Sequence, residues 1–169
     1  MKITLIGMAG VGKSFIGEAL AKELSVRFID TDRIIEDKYG MKLQDIIDTY
    51  GEKEFLEMEK RATLSLKLYR DCIISTGGSI IYSKEAMEFL KKDSVIIFLD
   101  ASLTAIDSWI ANKITRGIVY LKKGLRSVYK ERLPLYKKYA DIRIKLTKSY
   151  DRDHIVKDII LKVKTVTGK

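Results

Sequence analysis

Short apolar runs alternate along the chain with longer amphipathic segments. The apolar runs are rich in β-branched residues and end at glycine or polar residues, which is typical of strands. We predict strands at 2–6, 26–30, 71–76, 94–100 and 141–146. Between them, apolar residues recur at intervals of three and four, as in helices that bury one face. We predict helices at 13–24, 31–39, 43–49, 52–69, 83–92, 102–111, 125–139 and 151–165, with a bend or break at Pro134.

This alternation predicts an α/β fold in which helices cover both faces of a parallel sheet. The 169 residues contain no repeat, linker or low-complexity tract, so we expect a single domain. No apolar run approaches the roughly 20 residues of a membrane span, and the first residues lack a signal-peptide cleavage site. We therefore expect a cytoplasmic protein without a membrane partner.

The charge of the chain adds little to this picture. There are 32 lysine and arginine residues against 23 aspartate and glutamate residues, a formal charge of +9. Nucleic-acid-binding proteins share such an excess, but here the lysines are spread along predicted helices and alternate with glutamates, as in 52–61. We favour a solvated surface around an anion-binding cleft over a nucleic-acid partner. The one cysteine, Cys72, lies in a predicted strand, which indicates a buried thiol.

A glycine-rich loop follows the first predicted strand. Gly7, Gly12, Lys13 and Ser14 match the pattern G-x-x-x-x-G-K-[ST]. Glycines let backbone N–H groups turn toward phosphate oxygens, and the following helix adds its partial positive charge. A chance glycine turn is the alternative, but the loop lies between an apolar strand and an amphipathic helix, as the motif requires. We predict that ATP binds here with Mg²⁺, through Gly7, Gly10, Val11, Gly12, Lys13, Ser14 and Phe15.

Two aspartates follow the second predicted strand. Asp30 and Asp32 lie at its carboxyl end, which is where ligands bind in open α/β sheets. In phosphoryl transfer, one carboxylate supports the metal ion and another accepts a proton from the attacking hydroxyl. The alternative is that Thr31 or Asp32 caps the following helix. Capping accounts for one aspartate and leaves the other without a role.

Taken in order, these motifs resemble those of the shikimate kinase family over nearly the whole chain. The matching features are GMAGVGKS at 7–14, DTD at 30–32, GEKEF at 51–55, STGG at 75–78, FLD at 98–100, Arg116, and ERLPLYKKYAD at 131–141. The phosphate-binding loop is common to many families, whereas its combination with DTD, TGG and R-x-P-L-Y is specific. Other P-loop kinases, such as gluconate and nucleotide kinases, fit this combination less well.

The resemblance implies a P-loop NTPase fold of the nucleoside-monophosphate-kinase type. This is a three-layer α/β/α structure with a five-stranded parallel sheet in the order 2-3-1-4-5. The resemblance also implies an acceptor-binding helical subdomain at about 31–60 and a lid at about 112–124. The reaction would transfer the γ-phosphate of ATP to a hydroxyl of shikimate or a related compound, as in aromatic amino acid biosynthesis. We expect a monomer.

The same resemblance assigns roles to residues on the nucleotide side of the site. Lys13 and Ser14 would serve ATP and Mg²⁺, and Asp30 would support the metal through water. Asp32 would bind the acceptor hydroxyls and act as the base.

On the acceptor side, the resemblance assigns backbone N–H groups of Gly77 and Gly78 to the acceptor. Arg116 would close from the lid onto the phosphates, and Arg132 would pair with an acceptor carboxylate. For both arginines the alternative is a solvated surface position.

Two positions in the acceptor site depart from the family pattern. Leu56 stands where the family has an arginine that clamps the carboxylate of shikimate, and Ser79 stands where it has a third glycine. Loss of one charge-assisted hydrogen bond costs about 1.5–3 kcal/mol, or about one to two decades of affinity. We expect either that Lys53 or Lys60, on the same helix face, replaces the lost charge, or that the pocket is adapted to a less acidic acceptor.

Two further departures lie near the nucleotide. Gly117 replaces the proline that follows the lid arginine, and Trp109 takes the place of an arginine that the family often sets against adenine. Trp109 is predicted either to stack on the base or to pack in the core.

Three functions remain open from sequence: a shikimate kinase, a kinase for a different acceptor, and a nucleotide-binding module with little transfer activity. We favour a working kinase, with shikimate as the best single acceptor, because the phosphate cradle, metal support, base and lid arginine are all present.

Overall fold

A computed structural model of the chain describes residues 1–66, 71–110 and 117–168. Its centre is a five-stranded sheet in the order β2-β3-β1-β4-β5, in which all neighbours are parallel. The strands are β1 (Lys2–Ile6), β2 (Arg27–Asp30), β3 (Cys72–Ser75), β4 (Val95–Ala101) and β5 (Ile142–Leu146). The predicted fold class and strand order are confirmed.

The helices lie on both faces of this sheet and follow the predicted order. They are α1 (Lys13–Glu23), α2 (Thr31–Tyr39), α3 (Leu43–Tyr50), α4 (Glu52–Leu64), α5 (Lys84–Lys91), α6 (Leu103–Ile110), α7 (Leu125–Tyr139) and α8 (Arg152–Thr167). The prediction over 52–69 was too long, because helix α4 ends at Leu64. Two short 3₁₀ helices, Ile80–Tyr82 and Leu121–Lys123, were not predicted. Among the described residues, no helix is long and apolar enough to cross a bilayer.

The predicted interruption at Pro134 does not break the helix. Helix α7 runs through the proline from Leu125 to Tyr139. Proline removes one backbone hydrogen bond from a helix, but Val128, Arg132 and Tyr136 are buried on one side of α7. Because these three residues recur every four positions, tertiary packing holds the helix across the missing bond.

The sheet core is apolar on both faces, as the sequence of the strands requires. Residues of β1, β3 and β4 are almost completely buried, including the predicted buried thiol of Cys72. The sheet is parallel, so the carboxyl ends of neighbouring strands meet at one edge. Gly7 follows β1, Asp30 ends β2, and Thr76 follows β3, which brings three separate sequence motifs to this edge.

Helices α2, α3 and α4 form a second, smaller core beside the sheet. Its buried members are Ile35, Ile46, Ile47, Phe55, Met58 and Val119. Leu56 packs against this cluster together with Tyr120. Val119 and Tyr120 belong to the stretch that precedes α7, so that stretch is fixed to the three helices by apolar contacts.

Candidate active site

The loop after β1 contains three glycines and leads into the uncapped start of α1. Gly7, Gly10 and Gly12 all have positive φ angles of 148°, 83° and 95°, which glycine adopts without strain. Gly12 is the N-cap of α1, and no side chain caps this helix. The first N–H groups of α1 are therefore available to an anion, and the partial positive charge of the helix terminus favours one.

Lys13 is buried at the centre of the loop. Its Nζ donates hydrogen bonds to the carbonyl oxygens of Gly7 at 2.9 Å and Met8 at 3.0 Å. Burial lowers the pKa of Lys13 to about 8, and the negative charges of Asp32 and Asp30 limit this decrease. The ammonium group thus lies within the electrostatic reach of both aspartates.

Ser14 and Asp30 place hydroxyl and carboxylate oxygens side by side. Ser14 Oγ donates to Asp30 Oδ2 at 2.5 Å and lies 3.5 Å from Ser75 Oγ. The other carboxylate oxygen, Asp30 Oδ1, accepts the backbone N–H of Asp32 at 3.0 Å and so caps α2. The alternative that Thr31 or Asp32 forms this cap is wrong. Asp30 caps with one oxygen and leaves the other beside Ser14.

The Asp32 side chain lines the cleft, and one of its carboxyl oxygens has no partner. In the part of the chain that the structure describes, Asp32 Oδ1 is buried and accepts no hydrogen bond. Burial and the nearby charge of Asp30 raise the pKa of Asp32 to about 6, against the opposing effect of Lys13. A half-buried acid with an unpartnered oxygen and a pKa near neutrality is a candidate general base.

A second buried acid, Glu59, was missed by the sequence analysis. Its side chain is 2% exposed, and its carboxylate accepts a hydrogen bond from Ser79 Oγ. Burial, together with the charge of Asp32, raises the pKa of Glu59 to about 7. The available signal was its position, because Glu59 follows Phe55 by four residues on the buried face of α4. Glutamate is almost never fully buried unless it is paired, so a glutamate on the buried face of a helix indicates a specific role.

Glycines after β3 let these two acids approach each other. A Cβ on Gly77 would overlap Glu59 Oε1 and would lie 2.9 Å from Asp32 Oδ1. The Gly77 N–H donates to Thr31 Oγ1 at 3.1 Å, which differs from the expected donation to an acceptor. Gly78 lines the cleft, and a Cβ there would lie 3.2 Å from Arg132 Nη1.

Arg132 is buried, so a solvated surface position for this arginine is wrong. Its side chain is 1% exposed, and its Nη2 donates to the carbonyl oxygen of Val119 at 2.9 Å. Its guanidinium carbon lies 5.3 Å from the centre of the Tyr82 ring. Arg132 therefore joins helix α7 to the stretch before it and presents a buried positive charge beside Gly78.

Neither lysine proposed to replace the missing arginine lies in the cleft. Lys60 Nζ contacts Glu57 Oε2 at 2.5 Å, and Lys53 is exposed. Leu56 itself packs into the small core. The charge that Leu56 removes is thus not restored by either side chain.

Two predicted nucleotide contacts lie at the outer side of the loop. Phe15 is 53% exposed at the start of α1, and the Arg152 guanidinium lies 4.8 Å from its ring centre. Trp109 is half-buried, donates from Nε1 to the Lys148 carbonyl at 3.2 Å and meets the Tyr150 ring edge-on. A Cβ on Gly12 would overlap the Tyr150 hydroxyl, so the aromatic pair adjoins the loop.

Predicted residues from the nucleotide side and the acceptor side line one cleft of about 400 Å³, whereas Leu56, Gly77, Trp109 and Arg132 are not among its walls. Its walls include Gly10, Gly12, Lys13, Ser14, Phe15, Asp32, Glu59, Gly78 and Gly117. Val11 is buried beneath the loop, and Ser79 is buried behind Glu59. The predicted lid arginine, Arg116, lies outside the described residues.

Comparisons with known proteins agree with this geometry. The sequence model of the shikimate kinase family matches residues 9–164. A shikimate kinase of Sulfurihydrogenibium is 32% identical over 163 residues, which cover 96% of this chain and 97% of that protein. A shikimate kinase of Clostridium botulinum is 36% identical over 137 residues, which cover 81% of this chain and 82% of that protein.

Solved structures show the same relationship. The shikimate kinase of Acinetobacter baumannii in complex with shikimate superposes with a TM-score of 0.86 at 28% identity, covering 97% of this chain and 93% of that one. The shikimate kinase of Aquifex aeolicus superposes with a TM-score of 0.84 at 27% identity, covering 99% of this chain and 98% of that one. A deoxyadenosine kinase from M. mycoides, at 17% identity with a TM-score of 0.60, covers 97% of this chain and all of that one and shares the fold alone.

The close approach of Glu59 to Gly77 makes a testable packing prediction. The substitution Gly77→Ala is expected to reduce the free energy of unfolding by about 1–3 kcal/mol, because the new methyl group overlaps the Glu59 carboxyl. In the double variant Gly77→Ala/Glu59→Ala the overlapping atoms are gone, so its loss should be smaller than the sum of the two single losses. Urea denaturation of the four proteins measures this difference. Additive losses would contradict the predicted contact.

Proposed function

Because this chain belongs to the shikimate kinase family, we propose that it is an ATP-dependent kinase that phosphorylates a hydroxyl of shikimate. The observation that carries the proposal is the position of Asp32. Its side chain lines the same cleft as Lys13 and the uncapped start of α1, and one of its carboxyl oxygens has no hydrogen-bond partner. A base and a phosphate cradle in one cleft are what transfer of a phosphoryl group to an alcohol requires.

ATP would bind with its phosphates in the loop of 7–14. The open N–H groups at the start of α1 would bind phosphate oxygens, and Lys13 would exchange its bonds to the Gly7 and Met8 carbonyls for phosphate contacts. Phe15 and the Trp109–Tyr150 pair would line the outer part of the nucleotide site.

Mg²⁺ fits the oxygen atoms that Ser14 and Asp30 bring together. Mg²⁺ prefers oxygen ligands and retains several of its waters, and the hydroxyl of Ser14, a residue of the cleft wall, lies in contact with the Asp30 carboxylate. Ser14 would bind the metal directly, and Asp30 would hold one of its waters. When bound, the ion would neutralise negative charge on the transferring phosphate.

Asp32 would act as the base in the transfer step. As the acceptor oxygen forms its bond to the γ-phosphorus of ATP, its proton passes to the Asp32 carboxylate. The bond between the γ-phosphorus and the bridging oxygen breaks, and ADP leaves. Lys13 would stabilise the charge that develops on the phosphate oxygens. By the family resemblance, Arg116 would add to this stabilisation from the lid.

The acceptor would lie between the sheet edge and the small core of α2–α4. Arg132 would pair with the carboxylate of the acceptor, and the Gly78 backbone would contact it next to Arg132. Residues of about 31–60 would form the acceptor subdomain, and those of about 112–124 the lid. Val119 supports this division, because it packs into the small core while its carbonyl binds Arg132.

One observation favours a different acceptor as a second candidate. Leu56 packs into the small core, and neither Lys53 nor Lys60 reaches the cleft, so Arg132 acts without a second cation from α4. A less acidic hydroxy compound would need only one such cation.

A cytoplasmic monomer is proposed with this activity. Exposed large apolar side chains are scattered on the described surface, at Met1, Phe15, Tyr50, Leu161 and Val166. Isolated exposed apolar residues are normal for monomers.

Turnover of ATP is expected to depend on the acceptor. With ATP and Mg²⁺, ADP release should depend on shikimate more than on any other member of a panel of polyols and hydroxy acids. Asp32→Asn should lower kcat by about 10²- to 10⁴-fold while leaving ATP affinity unchanged, because only proton transfer is lost. Asp37→Asn, exposed on the same helix, is the matched control and should behave as the parent. Parent-level turnover by Asp32→Asn would contradict the assignment of the base. If another panel member supports faster turnover, the second candidate is correct.

The rate of phosphoryl transfer is expected to depend on pH through Asp32 and Lys13. Asp32 must be ionised to accept a proton, and its pKa is about 6, so kcat/KM should fall as pH decreases below that value. Lys13 must be charged to bind phosphates, and its pKa is about 8, so kcat/KM for ATP should also fall above that value. A bell-shaped profile with its maximum near pH 7 is expected in steady-state assays. A profile that stays flat between pH 5 and 7 would exclude Asp32 as the base.

A further inference from the structure

The two departures in the acceptor site meet at one residue, Glu59. Leu56 and Glu59 are three positions apart on α4, where a long basic side chain at position 56 would reach the Glu59 carboxylate. In this chain Leu56 packs into the small core instead. The Ser79 hydroxyl, which a glycine would lack, donates a hydrogen bond to Glu59. Each departure thus changes what surrounds the same carboxyl group.

Charged and titratable groups approach Glu59 from three other helices. Asp32 on α2 faces it across Gly77 and repels its negative charge. Arg132 on α7 and Lys13 on α1 attract that charge. Tyr136 on α7 also lies within electrostatic reach, and its hydroxyl donates to the Gly78 carbonyl at 2.5 Å. Helix α4 supplies no cation that contacts Glu59 among the residues described.

We propose that Glu59 is a specificity-determining residue that binds the acceptor by a hydrogen bond from its carboxyl group, which the Ser79 hydroxyl orients. A basic residue at position 56 would instead bind the acceptor by charge. This inference rests on the proposed function and extends it to the way the acceptor carboxylate is recognised. Glu59 and Asp32 line the same cleft, so an acceptor that reaches Asp32 also lies beside Glu59.

The chemistry of recognition follows from the ionisation of Glu59. Because its pKa is raised to about 7, an uncharged form is abundant at neutral pH. An uncharged carboxyl group donates its O–H to a carboxylate, which complements the contact from Arg132. An ionised Glu59 would instead repel that carboxylate. Binding of an acidic acceptor should therefore be coupled to uptake of a proton by Glu59.

Calorimetric titration with shikimate at pH 6 and pH 8 tests this coupling. The parent protein should bind about tenfold more weakly at pH 8, as expected for a group of pKa near 7 that binds only when protonated. Glu59→Gln cannot ionise and donates permanently, so its affinity should change at least fivefold less across this range. Contributions from Lys13 and Asp32 are common to both proteins and cancel in this comparison. Glu57→Gln, exposed on the same helix, should behave as the parent.

Two variants test the parts played by Ser79 and Leu56. Ser79→Ala removes the orienting hydroxyl and should weaken shikimate binding several-fold at pH 6. Leu56→Arg places a guanidinium near Glu59, which favours the ionised carboxylate and should remove most of the pH dependence. If Leu56→Arg and the parent share the same pH dependence, the inference is wrong.

A measurement of stability reports on Glu59 without any ligand. A carboxyl group whose pKa is raised on folding stabilises the protein below its unfolded pKa, and this stabilisation is lost as pH rises through about 7. The Tm of Glu59→Gln relative to the parent should therefore be higher at pH 8.5 than at pH 5. An equal difference at both values overturns the inference.

The outcomes separate this inference from the proposed function. If the parent fails to bind shikimate at either pH, both are wrong. If the parent and Glu59→Gln both bind shikimate and their affinities change with pH in the same way, the proposed function stands and the inference is overturned.

Discussion

The structure of the site depends on one constraint, the burial of several charges in a single cleft. Lys13, Glu59 and Arg132 are buried and Asp32 is half-buried at the carboxyl edge of the sheet, where each isolated charge would be costly. The two acidic side chains lie beside the two basic ones, Lys13 and Arg132, which reduces this cost. The pKa values of Lys13, Asp32 and Glu59 move toward neutrality. Side chains with such pKa values exchange protons readily near pH 7, which suits them to phosphoryl transfer and to recognition of an acid.

The fold supports this cluster by bringing together parts that are distant in sequence. The loop after β1, the end of β2 and the glycines after β3 meet because the strands are parallel neighbours. Helix α4 adds Glu59, and α7 adds Arg132. The Arg132 contact with Val119 then connects the cluster to the small core. An acceptor bound at Arg132 would therefore contact a side chain that is hydrogen-bonded to Val119.

Much of this arrangement was accessible from sequence, because it depends on local patterns. The strands, the glycine loop and the Asp30–Asp32 pair were recognisable from hydrophobic periodicity and motif spacing. Glu59 was not recognised because its burial depends on how α4 packs against neighbouring helices. The cap by Asp30 and the continuity of α7 through Pro134 likewise depend on hydrogen bonds and packing between elements. The fate of Leu56 also required tertiary structure, since a leucine can face either a cleft or a core.

The most direct measurement is a crystal structure with an ATP analogue, Mg²⁺ and shikimate bound together. We predict that the phosphates contact Lys13 and the N–H groups at the start of α1. The reacting hydroxyl should lie about 2.6–3.2 Å from the Asp32 carboxylate, the range for proton transfer to a general base. The shikimate carboxylate should lie against Arg132 and Glu59. A nucleotide bound outside the loop, or a hydroxyl beyond the reach of Asp32, would contradict the account.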